Sequence, residues 1–90
     1  MQEFEWNKLK AESNLKKHGV SFEEAISVFD DPFAVYYDDI YHSENEMRYI
    51  VIGYSQLNNL LIVNFTIRNE IIRIISSRRA TKKERNYHEK

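Results

Sequence analysis

Ninety residues suffice for one domain spanning 1–90 and leave no room for two. With 42% hydrophobic and 13% aromatic residues, two Gly and one Pro, the chain should fold. Lacking Cys, it has no disulfide, thiolate nucleophile or Cys-based metal site. The net charge of −1 conceals a split. Residues 1–20 carry four Lys and three acids, and residues 21–47 carry eight acids and no Lys or Arg. From Arg68 onward eight basic residues outnumber three acidic ones. A basic C-terminal third suits RNA or an acidic partner protein. The plain alternative is that the acidic segment folds back and cancels it. The opening MQEFEWNKLK lacks the apolar run of a signal peptide, and no apolar run approaches the ~20 residues of a membrane span. A cytoplasmic protein with no membrane contact is expected.

Phe4-Glu5-Trp6 is a short aromatic strand candidate. Asn7 is placed to cap a helix, and Gly19 to end it. Along that helix Ala11, Asn14, Leu15 and His18 form a stripe, two of whose four members are polar. His18 reads either as a last-turn histidine favoured by the helix dipole or as a functional ring near a basic corner. Lys17 reads as a solvated lysine or as a reactive one. Ser21-Phe22-Glu23-Glu24 is a capping box, with Val20 and Ala25 as its staple. Phe22, Ala25, Ile26 and Phe29 make an apolar stripe, and Pro32 should stop the helix near Asp30. Together the two helices predict a helical hairpin.

Phe33–Asp38 alternates as a strand, and Asp39–Glu46 is turn-like. Asp38, Asp39 and His42 lack a third well-spaced ligand, so no metal site and no cofactor is expected. Met47–Ser55 and Leu60–Ile67 are strands separated by a turn at Gln56–Asn59. Arg68-Asn69 has the length of a two-residue hairpin loop. The last strand, from Ile71, places Ile72, Ile74, Ser76 and Arg78 on one face and Arg73, Ile75, Ser77 and Arg79 on the other. It ends in Arg78-Arg79, two fixed charges suited to phosphate or carboxylate, or simply two solvated arginines. Thr81-Lys82-Lys83-Glu84 is a second capping box, and the helix it opens has few apolar residues with which to dock. The expected fold is α+β: a short N-terminal strand, a helical hairpin, an antiparallel four-stranded meander and a C-terminal helix.

Several segments in this order resemble the BrnT family of bacterial type II toxins. They are FEW at Phe4–Trp6, NLKKHGVSFEEA at Asn14–Ala25, VFDDP at Val28–Pro32, the strand holding Arg48 and Ile52-Gly53, and RIISSRRATKKER at Arg73–Arg85. The resemblance implies a RelE-like ribonuclease fold, metal-independent cleavage of RNA that arrests translation, and a cognate antitoxin. That antitoxin, BrnA-like, is a ribbon-helix-helix protein, and DNA is contacted only through the complex. Thr66-Ile67-Arg68-Asn69-Glu70 looks like the family's TERGD-type turn, with Ile67 for an acid and Asn69 for Gly, and Tyr49 stands where Trp is frequent.

Cleaving RNA without a metal requires a proton taken from the 2′-hydroxyl, a proton given to the 5′-oxygen, and a stabilised phosphate. Arg78 and Arg79 are expected on the phosphate, with Arg68 as a further clamp and Arg73 structural. Opposite faces would let only one of Arg78 and Arg79 touch the scissile group. Lys17, His18 and Glu70 are candidates for proton transfer. Tyr36, Tyr37 and Tyr49 are either core or base-stacking platforms. The alternative function is a non-catalytic module that docks a DNA-binding antitoxin as a corepressor.

Overall fold

The structure, a computed structural model, describes residues 2–90. Its elements are β1 (Phe4–Trp6), α1 (Lys8–His18), α2 (Phe22–Ile26), β2 (Val35–Asp38), β3 (Arg48–Tyr54), β4 (Leu60–Arg68), β5 (Ile71–Arg79) and α3 (Lys82–His88). The strands form one mixed sheet in the order β1-β5-β4-β3-β2. The expected meander β2 to β5 is antiparallel, and β1 joins it in parallel on β5. The fold is therefore α+β with three helices and a five-stranded mixed sheet, one strand more than the meander alone.

Local chemistry starts and stops the helices where the sequence places those signals. The Asn7 side chain accepts from Lys10 N–H at 3.1 Å, and Gly19, at φ 70°, closes α1 with its N–H on the Leu15 carbonyl at 2.8 Å. Ser21 caps α2 by accepting from Glu24 N–H at 3.0 Å. The expected reciprocal bond is absent because Glu24 turns inward. It is buried and accepts from Ser55 Oγ at 2.6 Å and Asn59 Nδ2 at 2.9 Å, which fixes the β3–β4 turn. Ahead of Pro32, α2 tightens into a 3₁₀ turn, Ser27–Asp30. The two helices are not a hairpin closed on itself, since α1 and α2 each pack on β5.

That packing makes the core. Val20, Phe22, Ala25 and Val28 from the helical layer meet Val51, Leu61, Val63, Phe65, Ile72 and Ile74 of the sheet. Each fully buried side chain of this size contributes about 1.5–3 kcal/mol of burial. Trp6 sets its edge on Phe22 with ring centroids 6.0 Å apart, so even the short β1 reaches the core. Gly53 is required by close approach. A Cβ there would lie 2.9 Å from Val28 Cγ1 and 3.0 Å from both Ala34 Cβ and Asp31 Oδ2.

Two features of β5 differ from simple alternation. Asn64 pairs with Ser76 but Phe65 pairs with Ile74, so Ile75 is an extra, bulged residue. The bulge flips the faces beyond it. Ile72, Ile74 and Ser77 are buried toward the helices, and Arg79 follows Ser77. Ser76 and Arg78 join Arg73 on the opposite face, which reverses the expected pairing of faces. The hairpin loop is Asn69-Glu70 rather than Arg68-Asn69, because Arg68 still pairs with Ile71. Both loop residues have positive φ, 52° and 67°, as a type I′ turn needs.

The polar stripe of α1 has its explanation at Ser77. Strand β1 ends at Trp6, opposite Ile74, so the outer edge of β5 is bare beyond that point. The buried amide of Asn14 takes the place of the missing strand. It accepts from Ser77 N–H at 3.0 Å and donates to the Ser77 carbonyl at 2.8 Å and the Val20 carbonyl at 3.0 Å. An Asn14→Ala change leaves these buried groups unpaired at a cost of about 2–3 kcal/mol. The melting temperature is expected to fall by roughly 8–20 °C, while a change at exposed Glu12 moves it little; thermal unfolding of the two variants checks this.

Candidate functional site

The six arginines show where the basic third of the chain is neutralised and where it is free. Arg78 is gripped in bidentate fashion by Glu84, Nη1 to Oε1 at 2.8 Å and Nη2 to Oε2 at 2.9 Å. Arg73 pairs with Glu5 at 3.0 Å. Arg68 makes a bidentate pair with Glu46 at 2.8 and 3.0 Å. Among the described residues Arg48, Arg79 and Arg85 have no acid partner.

Glu84 does two things at once. It closes the α3 capping box with Thr81, whose N–H donates to it at 2.8 Å, and it docks α3 through Arg78. The Arg78 guanidinium holds the Glu84 carboxyl down at about 2, with the Thr81 backbone adding to the effect, and Glu84 in turn pushes Arg78 up. The expectation that α3 would dock only weakly overlooked this pair. A ring contact of Tyr54 with His88 and a hydrogen bond from the Tyr54 hydroxyl to Glu89 complete the docking.

Arg79 ends β5 exposed, on the helix side of the sheet. Ala80 N–H on the Leu60 carbonyl at 2.9 Å fixes the strand end behind it. Lys17 and His18 occupy the last turn of α1, the turn that Asn14 ties to Ser77 two residues before Arg79. Lys17 is exposed and His18 half-buried, and neither side chain makes a hydrogen bond within the described residues. The structure thus leaves Arg79 on the face that α1 packs against and hands Arg78 to the other face.

Arg68 and Glu70 lie elsewhere. Arg79 pairs with Leu61 and Ile71 with Arg68, so the two groups sit at opposite ends of the β4–β5 hairpin. Seven residues of β4 at about 3.3 Å each separate them by roughly 23 Å. One phosphate cannot span that distance, so Arg68 does not clamp the group that Arg79 holds.

The sheet face opposite α1 and α2 carries a second polar collection. Arg48, Thr66 and Arg73 are in register across three strands, and Asn64 and Ser76 form the next row. Beside them Asp39 is buried and His42 exposed, with His42 Nδ1 3.1 and 3.0 Å from the two Asp39 carboxylate oxygens. In the sequence Asp39 and His42 stand out only as metal-ligand types. Among the described residues no three His, Cys, Asp or Glu side chains converge to hold a metal. The i, i+3 spacing of Asp39 and His42 across the short 3₁₀ turn Ile40–His42 was the available signal.

The tyrosines divide between the two readings. Tyr49 stacks on Phe65 with centroids 5.5 Å apart, inside an aromatic cluster with Phe29 and Tyr36. A cavity of about 420 Å³ opens over that cluster, between Asp38 and Ile67. Burial pushes the Tyr36 hydroxyl up, and the charges of Asp31 and Asp30 add to the shift. Tyr37 lies exposed on the far face, beside a groove of about 440 Å³ under α3.

This arrangement can be set beside known proteins. A family model described as the ribonuclease toxin, BrnT, of type II toxin-antitoxin systems matches residues 6–84. The chain belongs to the BrnT family. The crystal structure of the Brucella abortus ribonuclease toxin, BrnT, at 1.1 Å resolution has the same fold, with a TM-score of 0.70. That match covers 91% of this chain and 100% of the other at 20% sequence identity. No curated protein sequence matches the chain. As a BrnT-family toxin of a type II system, it has an antitoxin as its partner. No helix among the described residues is long and apolar enough to cross a membrane.

The Arg78–Glu84 pair has a pH signature. The Glu84 carboxyl titrates below its ordinary 4.5, so its contribution is complete above pH 4.5 and is lost as pH falls toward about 2. Because the pair is partly exposed, Glu84→Gln is expected to cost only about 0.5–1 kcal/mol at neutral pH. The gap in melting temperature between wild type and variant should close as pH is lowered through that window, which thermal unfolding at a series of pH values measures.

Proposed function

We propose that this chain is a RelE-like, metal-independent endoribonuclease that cleaves RNA in the cytoplasm, arrests translation and is silenced by a ribbon-helix-helix antitoxin. One observation carries the reading. A guanidinium without an acid partner, Arg79, ends a strand fixed from both sides, by Ala80 on Leu60 and by Asn14 on Ser77. A permanently charged fork carried on a fixed strand end can bind two phosphate oxygens at once.

Lys17 and the His18 ring, in the last turn of α1, suit the backbone of the same RNA strand. With no hydrogen bond orienting either side chain, both fit binding better than proton transfer. Arg78 serves α3 through Glu84, and Arg68 with Glu70 lies too far along the hairpin to join Arg79. The sequence carries no helix-turn-helix signature, so operator DNA is met through the antitoxin.

Purified protein is expected to cleave RNA in EDTA. Arg79→Gln should reduce kcat/KM about 10- to 100-fold, mainly through KM, the equivalent of one charged hydrogen-bonded contact. Lys10→Gln, at the exposed start of α1, should stay within about threefold. Wild-type cleavage by Arg79→Gln would remove the phosphate grip. No cleavage by the wild type, together with operator binding that depends on the antitoxin, would replace the enzyme with a corepressor.

A further inference from the structure

Of the three histidines, His42 alone has a ring nitrogen held by hydrogen bonds among the described residues. Its side chain is 67% exposed while that of Asp39 beneath it is 7% exposed. Nδ1–H therefore donates to a nearly buried carboxylate, and Nε2 is left bare toward solvent. An imidazole held in that tautomer is a base at Nε2.

The carboxylate is set in place by the surrounding fold. Asp39 N–H donates to the Arg48 carbonyl at 2.8 Å, and Asn64 Nδ2 approaches Asp39 Oδ2 at 3.4 Å. Ser43 Oγ donates to the Asp39 carbonyl at 2.6 Å and accepts from Arg48 N–H at 2.9 Å. This ties the loop to β3 and β4 on either side of the pair.

The ring faces a cleft of about 330 Å³ lined by Tyr41, Glu44, Asn45, Glu46 and Arg48. The charged groups in and around it come from three elements. Asp39, Glu44 and Glu46 belong to the loop, Arg48 to β3 and Arg68 to β4. Arg68 occupies Glu46, whose carboxyl is held below the usual range by that hydrogen bond and by the nearby charges of Arg68, Arg48 and Arg73. Arg48 is the cation in the cleft without an acid of its own. A bare, oriented imidazole and a free guanidinium in one open cleft are the two parts that transfer at a phosphodiester needs.

We propose that His42, oriented by Asp39, is the general base for RNA cleavage in this cleft, with Arg48 on the scissile phosphate. The inference rests on the ribonuclease reading and gives it a reacting site. His42 Nε2 takes the proton of the 2′-hydroxyl. The 2′-oxygen bonds to phosphorus, the bond from phosphorus to the 5′-oxygen breaks, and that oxygen leaves with a proton from water. The products are a 2′,3′-cyclic phosphate and a 5′-hydroxyl, and the imidazolium returns its proton to solvent. Five residues of β4, roughly 17 Å, separate the row of Arg48 from that of Arg79. Arg79 thus holds the RNA away from the bond that breaks.

His42→Asn keeps an N–H for Asp39 and removes the base. Its kcat on RNA is expected to fall about 10²- to 10⁴-fold with KM within about threefold and an unchanged melting temperature. The dependence of wild-type kcat on a deprotonated general base should be absent from the pH profile of this variant. Arg48→Gln should lower kcat in the same assay. Wild-type kcat and pH profile in His42→Asn would overturn the inference and leave the ribonuclease reading standing. A wild-type protein that cleaves no RNA would overturn both.

Discussion

The side-chain amide of Asn14 on the backbone of Ser77 is the contact around which the molecule is arranged. Strand β5 has β4 along one side for its whole length but β1 along the other only as far as Ile74. Beyond that point a buried N–H and carbonyl need partners, and water is excluded by the helical layer. Asn14 supplies both from one side chain, and its third bond, to Val20, sets where the chain turns into α2. One polar residue thereby joins the end of α1, the turn after it and the end of β5. The placement of Arg79 on the helix side of the sheet follows from that junction and from the bulge before it.

Charge is distributed by pairing, with a few groups left over. Three of the six arginines meet a glutamate, and each glutamate comes from a different part of the chain: Glu5 from β1, Glu46 from the loop before β3, Glu84 from α3. The acidic middle does not simply fold onto the basic third. Among the described residues Glu46 is the one of its eight acids that ion-pairs with an arginine, while Glu24 is spent on Ser55 and Asn59 and Asp39 on His42. Among the described residues Arg48, Arg79 and Arg85 have no acid partner, and Arg48 and Arg79 stand at opposite ends of the sheet and on opposite faces. A chain of net charge −1 can in this way offer two local positive sites to a polyanion.

Much of the fold was legible because it rests on local chemistry. Asn7, Gly19, Ser21, Thr81 and Pro32 mark helix ends through caps and forbidden conformations, and period-two alternation marks β3 and β4. The bulge at Ile75 left no mark, since an extra Ile in an apolar strand looks like any other, yet it exchanges the faces of every residue after it. That single residue decides that Arg79 and not Arg78 stands beside α1. Glu24 departs from its capping-box role for a similar reason. A capping-box spacing cannot reveal that Ser55 and Asn59, some 30 residues on, bid for the same carboxylate. The Asp39–His42 pair was visible as two residues but not as a unit, because its geometry is set by Asn64 and Arg48 from other strands.

Attack by the RNA's own 2′-hydroxyl, without a metal, is the chemical core of this description. Mass spectrometry of the ends left on an RNA cleaved in EDTA tests it most directly. A 2′,3′-cyclic phosphate facing a 5′-hydroxyl is the expected result. A 3′-hydroxyl facing a 5′-phosphate would contradict it, since those ends require an external water as the nucleophile.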